Sequence, residues 1–479
     1  VPLRHISHTG FRRAHRLAPE KILALSFAGF ILLGALLLMT PAATTDKPIS
    51  FVDALFTTTS ATCVTGLAVV DTGTYFTRFG QIVILISIQL GGIGIMTFST
   101  FVLYIFGRRL SVRDADVLSK SLGQTHGTTP RGLLWTVIGI SLLIEMAGAL
   151  FLYGRFSGDM PVGEAIWSSV FHSVSAFCNA GFSLFKDNLI GYAGDPTVNI
   201  TIMLLIVLGG IGFVVFLELF RFISSRVKSA IEAFKGKRQA SYLAEAPFRF
   251  SMHSKIVLVM TLVLILGGAL LVGVLEYENI QKDMPWGTRI LTSLFQSVTP
   301  RTAGFNTVDV GLMTDACLGV LVVLMFIGAS PGSCGGGIKT STFAVLTSMI
   351  RASLRKEDHV TFFKRSVGRL VQSEAVTVTA LAAAVVVGGT MLLLVLEVAG
   401  LSHGAARGKF LELLFETTSA FGTVGLSTGV TPNLLPSSKV VLVLIMFIGR
   451  LGPLTLAIAI TRKRAATNVK YPEGRVLIG

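Results

Sequence analysis

Eight apolar stretches long enough to cross ~30 Å of hydrocarbon punctuate the chain, at residues 22–39, 79–106, 133–153, 197–220, 256–275, 316–350 (interrupted), 375–396 and 440–460. The polar segments between them are of two kinds. One kind is strongly basic. The other carries a short amphipathic run followed by small residues. The two termini and alternate loops hold 29 of the 41 Lys and Arg; ten lie on the opposite side, and Lys339 and Arg450 fall inside spans. Basic loops mark the cytosolic face, so residues 1–20 and 463–479 are expected there, one at each end of an even number of crossings.

The outer segments repeat one another. Residues 51–70, 163–184, 289–308 and 409–429 each read as a short half-helix with a Phe, then Ser/Thr, then a small-residue loop ending in a glycine. Those glycines are Gly66, Gly181, Gly304 and Gly425, separated by 115, 123 and 121 residues. A second echo follows in the next span, at Gly91-GI-Gly94, Gly209-GI-Gly212, Gly328-ASPG and Gly449-RL-Gly452. A half-helix of about ten residues spans ~15 Å, too short to cross. Backbone that turns back inside a membrane is tolerated only when buried in protein or lining a wet cavity.

The expected fold is an all-α polytopic membrane protein of four span–pore-helix–loop–span repeats, eight spans with pseudo-fourfold symmetry around a central pore. The repeats fall at 21–109, 131–226, 254–354, which includes an intramembrane gating loop at 328–342, and 373–462.

Composition agrees and removes other classes. Of 479 residues 52% are hydrophobic and 14% charged, with a mean hydropathy of +0.72, against about 25% charged in a soluble domain. The net charge of +15 invites a nucleic-acid surface, but every basic cluster abuts a span, so the excess is topological. No nucleic-acid partner is expected. Cys63, Cys178, Cys317 and Cys334 form no CxxC pair, and Cys63 and Cys178 read as small packing residues. The basic segment 1–21 leads into a run of span length without a small-residue cleavage site, so it is not read as a signal peptide.

Four re-entrant loops meeting on one axis can strip a cation and recoordinate it with backbone carbonyls. Glycine suits this because positive φ turns successive carbonyls to one side and a missing Cβ lets strands approach. The half-helices would aim their C-terminal partial negative charge at the ion. The expected filter lining is Val64-Thr65-Gly66, Asn179-Ala180-Gly181, Thr302-Ala303-Gly304 and Thr423-Val424-Gly425. Asn179 and Arg301 break strict symmetry; Arg301 is expected to brace the filter from behind through carboxylates.

The sixth stretch is broken by Ser330, Pro331, Gly332 and the run Gly335, Gly336, Gly337, which cannot be held helical cheaply. A flexible segment below the filter reads as a gate. Charges at that depth are costly and functional by default. Lys339 has two readings, a member of the gate or a side chain that snorkels to the cytosol. Gly332–Thr340 approaches a nucleotide-binding loop, but Ile338 intrudes and no strand precedes it. Glu218 is expected to pair with Arg221 or solvent, and Glu145 has no evident role.

The loops TCVTGL, FCNAGF, PRTAGFNT and FGTVGLS resemble the selectivity filters of the Trk/Ktr/HKT superfamily of potassium transporters, and the layout is most similar to the Ktr membrane subunit. The resemblance spans roughly residues 20–462. It implies potassium uptake, often sodium-dependent, across a prokaryotic cytoplasmic membrane, by a homodimer with one pore per protomer. It further implies a cytosolic ring of nucleotide-binding regulatory subunits, with nucleotide held only by that partner and no cofactor on this chain. It makes Arg450 an electrostatic barrier below the filter. Two rivals remain at this point. An alternating-access, cation-coupled secondary transporter would show inverted halves, and these repeats run the same way. An intramembrane hydrolase would need a paired constellation that the spans lack.

Overall fold

The computed structural model describes residues 19–92, 130–234 and 250–452, apart from Asp46, His403 and Ala405. The expected elements that fall elsewhere, namely the N-terminal segment to residue 18, the end of the second span and the tail from residue 453, lie outside the described residues.

Helices make up nearly all of it, and they come in a recurring order. A long helix is followed by a half-helix and then by a second, shorter apolar helix. The first set is α1 (Pro19–Leu38), α2 (Phe51–Thr62), a single turn α3 (Thr72–Tyr75) and α4 (Arg78–Gly92). The second is α5 (Pro130–Phe156), α6 (Val162–Phe177), α7 (Pro196–Gly210) and α8 (Phe213–Phe234). The third is α9 (Met252–Leu275), α10 (Trp286–Val298), α11 (Asp315–Phe326) and α12 (Thr340–Leu354). The fourth is α13 (Arg369–Val398), α14 (Lys409–Gly422) and α15 (Pro436–Leu451). A two-residue hairpin, β1 (Thr361–Phe362) with β2 (Arg365–Ser366), joins α12 to α13.

Local sequence explains where these helices start. Ser50 accepts from the Asp53 amide at the head of α2, Asp195 caps α7, Ser251 caps α9 and Thr314 caps α11. Each supplies an acceptor to amides that have no partner within the helix. Pro196 and Pro436 open α7 and α15, where a missing N–H costs nothing.

The long helices turn large apolar side chains outward. Leu150 is 67% exposed on α5, Leu270 68% on α9 and Val395 66% on α13. A continuous apolar exterior of this kind suits lipid rather than water. The half-helices are the opposite: Phe56, Phe171, Phe295 and Phe415, one on each, are fully buried. Within each set the long helix packs on its own half-helix. Between sets the second helix packs on the next half-helix: α4 on α6, α7 on α10, α11 on α14, and α15 back on α2. The four sets thus close into a cycle.

Among the described residues three helices, Trp135–Phe156, Met252–Leu275 and Arg369–Val398, are long and apolar enough to cross a membrane unaided. The expected span at 197–220 is not continuous. It breaks at Ile211-Gly212, and α8 leaves α7 at 112°. Gly212 has φ +88, which stops α-helical propagation, and its position faces the Pro331 carbonyl so closely that a Cβ would lie 2.4 Å from the oxygen. Residues 221–234, expected as loop, continue as helix. The sixth stretch is interrupted as expected, but α12 already begins at Thr340, so the break runs over 327–339 and not to 342.

Candidate functional site

The last turn of every half-helix leads directly into one glycine loop, so four helix C-termini, each with partial negative charge, converge on the loops. A hydroxyl near that last turn straps each loop. Ser60 Oγ accepts from the Gly66 amide at 3.0 Å, and Ser419 Oγ from the Gly425 amide at 3.1 Å. Ser175 Oγ donates to the Phe182 carbonyl at 2.8 Å, and Thr299 Oγ1 to the Phe305 carbonyl at 2.5 Å. This is the physical content of the Ser/Thr in the repeated pattern.

Backbone conformation alternates along each loop. Val64 and Gly66 have φ +58 and +95, Asn179 and Gly181 +60 and +70, Thr302 and Gly304 +76 and +77, Thr423 and Gly425 +50 and +93. Left-handed backbone at every second residue sends successive carbonyls toward one side, whereas an ordinary strand alternates them. Four β-branched or amide residues held at positive φ store strain that the surrounding packing must offset.

The four glycines form a closed ring. A Cβ placed on Gly66 would lie 2.4 Å from the Ala180 carbonyl oxygen. On Gly181 it would lie 2.7 Å from Ala303 O, on Gly304 2.5 Å from Val424 O, and on Gly425 2.2 Å from Thr65 O. Each loop therefore presents to its neighbour's glycine the carbonyl just before its own. All twelve residues expected to line the filter, Val64, Thr65, Gly66, Asn179, Ala180, Gly181, Thr302, Ala303, Gly304, Thr423, Val424 and Gly425, lie on these four loops.

The second echo has a packing role. Cβ atoms on Gly91, Gly209 and Gly449 would stand 2.0, 1.8 and 2.0 Å from the carbonyl oxygens of Thr62, Phe177 and Phe421. Those carbonyls lie four residues before Gly66, Gly181 and Gly425, so each glycine admits the end of a half-helix. In the third set Gly328 instead lies inside the broken segment and packs on its far end, with a Cβ 2.2 Å from Gly336 O.

That segment, residues 327–339, lies against two of the loops. The Gly336 amide donates to Thr423 Oγ1 at 2.9 Å, and a Cβ on Gly335 would strike Thr302 Oγ1 at 2.0 Å. The side-chain amide of Asn179 bonds the same Thr302 hydroxyl at 3.1 Å. Backbone bonds tie the segment to the bend between α7 and α8: Ser330 and Cys334 amides donate to Gly210 and Gly209 carbonyls, and Phe213 donates to Gly332. Ser330 Oγ meets Thr340 Oγ1 at 2.9 Å, closing the segment on itself. Gly332 and Gly337 take φ +70 and +67.

Both intramembrane cations hold this segment. Lys339 Nζ donates to Gly335 O at 2.7 Å, so it points back into the segment and does not snorkel away. Arg450, 6% exposed, donates from Nη1 to the Cys334 carbonyl and from Nη2 to the Gly91 carbonyl. One guanidinium thus joins α15, the broken segment and α4.

Other expectations are corrected. Arg301 meets no carboxylate among the described residues; its Nη2 donates to Thr261 Oγ1 at 3.2 Å. Glu218, expected to meet Arg221 or solvent, is half-buried and accepts from the Ser251 amide at 3.0 Å, with no ion pair to Arg221 among the described residues. Glu145, buried in α5, receives both hydrogen bonds of Gln89 Nε2 at 3.1 Å, which fastens α5 to α4. All four cysteines are buried and free.

One residue was missed. Glu416, fully buried, follows Phe415 directly and braces the outer end of its loop, accepting from the hydroxyls of Ser427 (2.5 Å) and Thr431 (2.7 Å) and from the Thr428 amide (3.2 Å). His172 follows Phe171 in the same register and bonds Ser183 at 2.9 Å. A carboxylate at a position occupied by Thr57, His172 and Gln296 in the other half-helices was the available signal. Glu416→Ala removes the acceptor of the Thr428 amide and of both hydroxyls; Ser427 and Thr431, 3.0 Å apart, can still bond each other, which leaves at least two donors unpaired, at about 1–3 kcal/mol each where buried. The midpoint of thermal unfolding is expected to fall markedly, and less in Glu416→Gln, which keeps one acceptor oxygen. A midpoint in Glu416→Ala equal to that of the wild type would dismiss the brace.

Known proteins resemble this chain in sequence and in fold. The family described as TrkH, a cation transport protein, matches residues 20–470. The chain is 40% identical over 466 residues to the Ktr system potassium uptake protein B of Bacillus subtilis (strain 168), covering 97% of each. It is 32% identical over 470 residues to the potassium/sodium uptake protein NtpJ of Enterococcus hirae, covering 97% and 98%. The crystal structure of the potassium transporter TrkH from Vibrio parahaemolyticus superposes with a TM-score of 0.67 at 18% identity, over 95% of this chain and 87% of that one.

Proposed function

The chain belongs to the TrkH family of cation transport proteins, which are membrane transporters and not enzymes, and from that premise we propose that it carries potassium into the cell through the ring of glycine loops. The observation that carries the reading is the closed cycle of Gly66, Gly181, Gly304 and Gly425, each beside a neighbouring carbonyl. Carbonyl oxygens there replace the water shell of a dehydrated monovalent cation, and converging helix C-termini lower its cost at membrane depth. The four helix sets are the four repeats of an eight-span protein with pseudo-fourfold symmetry, and the filter is its axis.

The segment at 327–339 is the gate. Its close approach to Thr302 and Thr423 on two of the loops supports this reading, in which the segment obstructs the path and has to move for an ion to leave. The excess of basic residues in the termini and alternate loops supports a cytosolic side for both termini. The family resemblance adds a homodimer, sodium dependence and a cytosolic nucleotide-binding ring; relatives named as parts of a Ktr system support the presence of a partner protein.

The test is growth and rubidium uptake in potassium-starved bacterial cells stripped of their own uptake systems. Expression of this chain should restore growth at low potassium, more strongly with sodium present. Normal membrane levels without uptake, in the presence of its regulatory partner, would refute the reading. Sodium-independent uptake would remove only the coupling.

A further inference from the structure

Helices α9 and α13 both pack on α12. Where the starts of the three helices come together they leave a cavity of about 530 Å³, within the ~300–1,000 Å³ of ordinary ligand sites. The hairpin that precedes α13 borders it through Ser366, and Lys255 Nζ lies 5.6 Å from the centre of the Phe363 ring, which holds that hairpin to α9.

The walls are of two kinds. Ile256, Val345 and Val378 give the cavity an apolar side. Val371, also in the wall, is 48% exposed, so this side continues into the apolar exterior of α13 that suits lipid. The other side is polar and is made by His253, Ser341, Thr342, Ser366 and Glu374. Among the described residues none of these five side chains makes a hydrogen bond or ion pair with another residue, so all are open to a ligand. Three hydroxyls and an imidazole N–H can donate to phosphate oxygens, and a carboxylate can accept from a primary ammonium. The same carboxylate disfavours a headgroup of net negative charge. We propose that this cavity binds one aminophospholipid of the phosphatidylethanolamine type, with its ammonium on Glu374, its phosphate among the hydroxyls and its acyl chains along the apolar exterior. Occupancy steadies the first turn of α12, and with it the segment 327–339, which Ser330 ties to that turn through Thr340. This second step rests on the gate reading; the binding step does not.

Native mass spectrometry of the detergent-solubilised full chain reads the first step. One phosphatidylethanolamine per chain should be retained, about fivefold more tightly than phosphatidylcholine, whose quaternary ammonium has no N–H to donate. Glu374→Gln should abolish that preference. Val371→Trp, which fills the cavity from an exposed wall position, should abolish retention; if it does not fold, Ser366→Trp serves instead. Soluble phosphoethanolamine should not displace the lipid, and displacement would mean a headgroup site that needs no lipid. No retention, or equal retention of the two lipids, overturns the site. Efficient disulfide cross-linking of Ser366→Cys between two chains would give the cavity to a second copy and overturn it as well. Rubidium flux reads the second step. It should be lower in phosphatidylcholine vesicles that contain phosphatidylethanolamine than in those without it, because a ligand favours the arrangement it fits. Glu374→Gln should remove the difference. Selective binding with equal flux in both membranes overturns the second step alone. Selective binding with no flux in either membrane supports the lipid site and counts against the potassium reading.

Discussion

Gly66→Ser and Gly304→Ser are each expected to abolish the preference for potassium over sodium, lowering the ratio of their uptake rates by about tenfold or more. Two effects act together. Backbone at φ +95 and +77 is unfavourable for any residue with a Cβ, by roughly 1–2 kcal/mol. The new Cβ would also stand 2.4 Å from Ala180 O or 2.5 Å from Val424 O, so the neighbouring carbonyl must turn or retreat. Because the contacts form a closed cycle, displacement at one loop spreads to the next, and a change in either glycine should disturb the same property. Gly429→Ser separates the two causes. Gly429 has φ +91, close to that of Gly425, but nothing lies within 4 Å of its Cβ position. It should carry the strain without the collision and keep its selectivity. Competitive rubidium and sodium uptake would decide; unchanged ratios in Gly66→Ser and Gly304→Ser, with normal membrane levels, would remove the filter from these loops.

The ring was legible in the sequence because its chemistry restricts residue choice at fixed places. Only glycine tolerates both positive φ and a carbonyl at that distance, so Gly66, Gly181, Gly304 and Gly425 stand out at spacings that four copies of one unit impose. The second echo was visible for the same reason, although its meaning, room for the half-helix ends, required coordinates. The bend at Gly212 was hidden. Hydropathy averages over a window and cannot distinguish a glycine inside an apolar helix from one that turns the chain by 112°. Partners of buried polar groups were the other weakness. Arg301 was expected to find carboxylates because such pairs are the common solution, but the packing of α9 offers it Thr261, forty residues earlier. Glu416 reaches residues eleven to fifteen positions ahead across a loop whose course no local rule dictates. Side-chain partners at such range follow from tertiary packing, whereas glycine positions follow from backbone geometry.

Arg450→Ala is expected to raise potassium flux through the reconstituted protein by about tenfold, with selectivity retained because no loop residue changes. On the proposed gate the guanidinium has two ways to act. Its positive charge, which no ion pair among the described residues offsets, would repel a cation leaving the ring, and its bonds to the Cys334 and Gly91 carbonyls tie the broken segment to α4. Arg450→Lys distinguishes them. An ammonium keeps the charge but lacks the fork that reaches two carbonyls at once. If the charge dominates, Arg450→Lys should stay as slow as the wild type; if the pin dominates, it should approach Arg450→Ala. Lys339 supplies an independent check, since it donates to Gly335 O within the same segment. Lys339→Met should then accelerate flux further only where the pin is the barrier, because a segment already released by Arg450→Ala gains mobility from losing its remaining tie. Flux in Arg450→Ala equal to or below that of the wild type, at normal membrane levels, would mean that this segment does not limit passage, and the gate would have to be sought elsewhere along the path.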